Sequence, residues 1–181
     1  STALAASQTW KKVPNIANQG KDNLEITNLL SLGNGKILIT LPIAQTTFCD
    51  AFTFDGEEWN KIFENEYIKS LRLSEGKLIK IAYRSLNIYD VNNLVNGGEI
   101  YHLSDEWNPV HGIHLDINDA IIDSQDLWLA HQTKGLIRLK DYRNGTHNKS
   151  EHFPDGPKSN HIYTIAASED GKIYIAPGGK T

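Results

Sequence analysis

The chain has 181 residues, 39% of them hydrophobic and 9% aromatic, which is enough to bury a core. Its 18 basic and 22 acidic residues give a formal charge of −4 with no Lys/Arg run, which excludes the basic field that holds nucleic acid. A lone Cys49 excludes an intrachain disulfide and a cysteine metal site, and no stretch approaches the roughly 20 apolar residues that cross a bilayer.

The first ten residues, "STALAASQTW", place Ala3-Leu4-Ala5 in the small-x-small form of a signal-peptide cleavage site, so the expectation is export to the periplasm or cell surface. "TWKKVP", residues 9–14, reads as one polar strand. From there a unit recurs four times, an apolar strand, a tight polar turn and a second apolar strand: "ITNLLSLGNGKILIT", "IKSLRLSEGKLIKIA", "INDAIIDSQDLWLA" and "IYTIAASEDGKIYIA". Each is a β-hairpin signal, with Asn34-Gly35, Glu75-Gly76 and Asp170-Gly171 supplying the positive φ of a two-residue turn.

Aligning the turns at Gly35, Gly76, Asp126 and Gly171 gives spacings of 41, 50 and 45 residues, the length of one four-stranded propeller blade. Third and fourth strands follow each hairpin: "DAFTFDG" and "EWNKIFE", then "LNIYDV" and "GEIYHL", then "GLIRLKDY" and "SEHF". Blades stack face to face, so "KILIT", "LIKIA", "LWLA" and "KIYIA" are expected to be covered on both sides. The fold expected is all-β: a β-propeller fragment with three complete four-stranded blades at about 26–64, 68–103 and 117–153. Partial blades flank them, 161–181 behind and the outer strand 9–14 in front. Open strand edges at such a fragment call for further blades or for self-association.

From Asp126 onward the sequence resembles the regulator propeller repeat of extracytoplasmic sensor regions in bacterial two-component systems. The matching residues are Leu127-Trp128-Leu129, Gly135-Leu136, Ser159-Asn160, Ile162 and Glu169-Asp170-Gly171. It departs from that repeat at Ala130-His131, where Gly-Thr is usual, and at Tyr174 with Ala176-Pro177. "IAPGG" also resembles the propellers of the type IX secretion system, whose related repeats form a cell-surface protein. The resemblance implies a non-catalytic sensing module with a carbohydrate or protein ligand, or a structural part of a secretion machine, and it implies no enzyme.

The residues offer little else. Gly179-Lys180-Thr181 is not a phosphate-binding loop, because Tyr174 stands where that motif needs glycine. His111 and His114 flank Gly112-Ile113 in the connector "SDEWNPVHGIHLD", a spacing that fits no recognised zinc pattern. Neither a metal nor a cofactor is expected. The ligand-contact candidates are Trp107, His111 and His114 in that connector, with Arg84 and His131 in the short loops that leave second strands. Trp128, inside an apolar run, is expected between blades. Far-UV circular dichroism of the folded chain should show strand and almost no helix; more than about a fifth helix would contradict the period-two reading.

Overall fold

The computed structural model describes residues 14, 16, 25–43, 48–82, 85–94, 98–102, 117–144, 150–153, 161–168 and 170–177. They form three four-stranded antiparallel sheets and one two-stranded sheet. Sheet I holds β1 (Asn28–Gly33), β2 (Lys36–Pro42), β3 (Phe48–Phe54) and β4 (Trp59–Tyr67) in that spatial order. Sheet II repeats the plan with β5 (Ser70–Ser74), β6 (Lys77–Ile81), β7 (Ser85–Asp90) and β8 (Glu99–His102). Sheet III is β9 (Ile117–Asp123), β10 (Asp126–His131), β11 (Gly135–Leu139) and β12 (Ser150–Phe153). Sheet IV pairs β13 (Ile162–Ala167) with β14 (Ile173–Pro177). The helical content of the described residues is one 3-10 turn, Tyr142–Asn144. The strand expected at 9–14 lies outside the described residues apart from Pro14.

The hairpin turns fall where backbone sterics allow them, with φ of 50° at Asn34, 75° at Gly35, 47° at Glu75 and 69° at Gly76. The third hairpin differs from the sequence alignment by one residue. Its turn is Ser124-Gln125, and Asp126 is the first residue of β10, paired with Asp123. Ser124 takes the positive φ, 59°, so no glycine marks the turn. Asp126 has other work: its carboxylate accepts the Asp141 amide at 3.0 Å and the Arg138 guanidinium at 2.5 and 2.8 Å.

Period-two alternation divides each second strand between two interfaces. In β6, Leu78 enters the core between sheets I and II with Leu38, Ala51 and Phe63, while Ile79 and Ile81 enter the core between II and III with Leu127, Leu129 and Ile137. Between III and IV, Ile121 and Ala130 meet Ile162 and Ile165. The far face of sheet I, with Ile39, Leu41 and Phe52, is met by Ile16, and Trp59 donates its indole N–H to the Pro14 carbonyl at 2.9 Å. Lys80, inside the apolar run of β6, is only 3% exposed. It lies over the Phe63 ring at 4.5 Å and pairs with Glu66, so the buried charge has both a carboxylate and a π face.

Two sequence expectations need correction here. Among the described residues, strand "KIYIA" is covered on one side: Ile173 and Ile175 of β14 are half-buried while Tyr174 is 57% exposed. Ile173 and Ile175 pack toward sheet III, while among the described residues no strand stacks on the other face. Trp128 does sit against the core between III and IV, but half-buried among the described residues. Its ring instead stacks on Phe153, centroids 5.8 Å apart, with the Arg138 guanidinium 5.2 Å from its centroid.

Polar contacts join the first strands. Asp119, buried in β9, accepts the Thr164 hydroxyl at 2.5 Å and the Ile165 amide at 3.1 Å from β13, and pairs with Arg72 of β5 at 3.4 Å. Arg72 also donates to the Ile165 carbonyl, so one carboxylate and one guanidinium tie sheets II, III and IV. Asp119→Ala leaves those buried donors and the cation without their partner, and is expected to cost about 3 kcal/mol in urea unfolding, with Asp119→Asn recovering part. A loss near zero would show the knot to be ornamental.

Asp126 gives a second test. Burial pushes its pKa up, but the Asp141 amide and the Arg138 guanidinium outweigh that and hold it below the usual carboxylate value. A depressed carboxylate contributes stability that is fully present above the unfolded-state value near 4 and is lost as pH falls through the folded one. Stability should therefore fall below about pH 4, and Asp126→Asn should flatten part of that slope in urea titrations.

Candidate functional site

The first strands β1, β5, β9 and β13 lie side by side in that order, each sheet radiating outward through its second and later strands. Where they converge there is a cavity of about 770 Å³, lined from all four sheets. Leu30, Leu73, Ile121, Ile122, Ala166 and Ala167 make its apolar wall. Arg72, Ser74, Glu75, Asp123, Ser124 and Ser168 supply its polar groups. The volume lies within the range of small-molecule sites.

The polar wall is built by bonds between sheets II and III. Ser74 Oγ accepts the Ile122 N–H and donates to the Ile122 carbonyl, both at 2.9 Å. Glu75 Oε1 accepts the Ser124 N–H at 2.7 Å, which fixes the carboxylate across the two turns. At the third wall Ser168 bonds Asp170 and accepts the Lys172 N–H at 3.3 Å, closing the β13–β14 turn. The Lys172 ammonium and then the Ser168 hydroxyl hold Asp170 below the ordinary carboxylate value. Ser74 and Ser168 thus give their hydroxyls to backbone groups and a carboxylate rather than to an imidazole base. Among the described residues no group of three or more His, Cys, Asp or Glu side chains could hold a metal ion. The cavity presents fixed acceptors over an aliphatic floor.

Strand directions separate this cavity from the residues singled out in the sequence. Each first strand ends, and each second strand begins, at the hairpin turns that carry Glu75, Asp123-Ser124 and Ser168. His131 closes β10 at the opposite end. Its ring is fully buried, and Nδ1 accepts the Thr133 and Lys134 amides at 3.0 Å each, so it organises the turn into β11. Arg84, Trp107, His111 and His114 lie outside the described residues. The cavity residues had a sequence signal of their own, a Ser-acid or acid-Ser pair that opens the turn: Ser74-Glu75, Asp123-Ser124 and Ser168-Glu169. Repeat one has Gly33-Asn34 there, which hides the pattern.

No family model matches the chain, and no curated protein matches it in sequence. Solved structures do match. The fold they define is the β-propeller: the WD40 β-propeller domain of Doa1 superposes with a TM-score of 0.50 at 11% identity, over 83% of this chain and 47% of that one. Two bacterial surface proteins are also similar. The extracellular domain of the hybrid two-component system BT4673 from B. thetaiotaomicron matches with TM-score 0.55 and 18% identity, over 92% of this chain and 20% of that chain. PorZ, a surface component of the type IX secretion system of Porphyromonas gingivalis, matches with TM-score 0.57 and 14% identity, over 83% and 24%. The chain therefore spans about a fifth to a quarter of the length of these two solved chains.

Proposed function

We propose that this propeller segment belongs to an exported, non-catalytic recognition module, the sensing region of a bacterial regulatory protein with a carbohydrate or protein ligand. The observation that carries the reading is the four-sheet convergence on one cavity with fixed polar walls, in a fold shared with an extracellular sensor domain. The blades at about 26–64, 68–103 and 117–153 and the partial one at 161–181 belong to the proposal, as do the ligand-contact residues Arg84, Trp107, His111, His114 and His131. A structural role in type IX secretion is the second reading, favoured by the PorZ likeness.

The test uses the whole gene product in its own cells. Protease added outside intact or outer-membrane-permeabilised cells should cleave an epitope placed in this segment. Deleting the gene should abolish a ligand-dependent transcriptional response while leaving protein secretion normal. Broad loss of secreted cargo would select the second reading, and an epitope protected until the inner membrane is lysed would overturn both.

A further inference from the structure

The first strand of each sheet lies at its edge, so the N–H and C=O groups on the side away from the second strand need partners from outside the sheet. In β9 and β13 side chains supply them. Ser74 serves both the Ile122 N–H and the Ile122 carbonyl at 2.9 Å, and Glu75 accepts the Ser124 N–H at 2.7 Å. On β13, Asn118 donates to the Ile162 carbonyl at 2.8 Å, Asp119 accepts the Ile165 N–H at 3.1 Å, and Arg72 donates to the Ile165 carbonyl. In each of these bonds the side chain comes from an earlier sheet and the backbone group from a later one.

Ser74, Glu75, Asn118 and Asp119 join neighbouring sheets. Arg72 does not: it stands on β5 and reaches past β9 to β13. There it meets the Ile165 carbonyl and, at 3.4 Å, the Asp119 carboxylate, which also holds the Thr164 hydroxyl and the Ile165 N–H. Asp119 is buried, so its charge depends on a cation beside it, and the guanidinium fork can serve the carboxylate and the carbonyl together. In a stacked array a unit answers to the units it touches. Arg72 adds a longer tie, because sheet IV cannot part from sheet III without also losing a partner from sheet II. We propose that Arg72 and Asp119 form a latch that couples sheet IV to sheet II across sheet III, so that loosening sheet II loosens sheet IV.

Native-state digestion of the full-length gene product with trypsin reads the latch, because cleavage after Lys172, where the β13–β14 turn enters β14, requires sheet IV to open locally. Cleavage there, followed by mass spectrometry, should rise about tenfold in Arg72→Gln, while cleavage after Lys140, beside β11 of sheet III, stays within about twofold. Leu71→Ala thins the core between sheets I and II. It should raise cleavage after Lys172 several-fold when Arg72 is present and leave it unchanged in the Arg72→Gln background. An unchanged rate in Arg72→Gln, a rise of the same size after Lys140, or an equal effect of Leu71→Ala with and without Arg72 would overturn the latch.

Discussion

The rest of the structure depends on one constraint: a strand has two faces, and the second strand of each repeat is apolar on both. Leu78 and Ile79 are neighbours in sequence yet belong to different cores, so sheet II has to be held between sheets I and III. An isolated four-stranded sheet of this composition would leave one face in water. Stacking is thus the only way these repeats bury their surface, and each repeat is stable only with its neighbours.

Stacking alone fixes no angle between sheets, and here the polar contacts matter. The apolar cores run across first, second and third strands, whereas the polar bridges of Ser74, Asn118, Asp119 and Glu75 lie at the first strands and turns. Hydrogen bonds have directions that aliphatic contacts lack. They tie the first strands in one relative placement where the sheets converge. The same bonds form the cavity wall, so the groups that shape the ring also preorganise the site.

The architecture was legible in the sequence because alternation, turn chemistry and period agree. Gly35, Gly76 and Gly171 announce their turns. The third did not, since Ser124 adopts positive φ without help from glycine and Asp126, which holds Asp141 and Arg138, imitated a turn residue. Lys80 in "LIKIA" passed as part of an apolar run because its partners lie on other strands, Glu66 and Phe63 on β4 of sheet I and Tyr89 on β7 of its own sheet. The cavity was less legible, because it is built from serines and acids whose significance appears only when three turns from distant repeats are brought together. The exposure of Tyr174 was likewise invisible, because a strand's pattern does not say whether anything is stacked on it.

That stacking has a kinetic counterpart. Sheets II and III contribute to interfaces on both faces, so β6, β7 and β10 are each covered by two neighbouring sheets. In a linear array each unit is protected by the neighbours it touches. Amide protons of β6, β7 and β10 should then exchange only when most of the array opens.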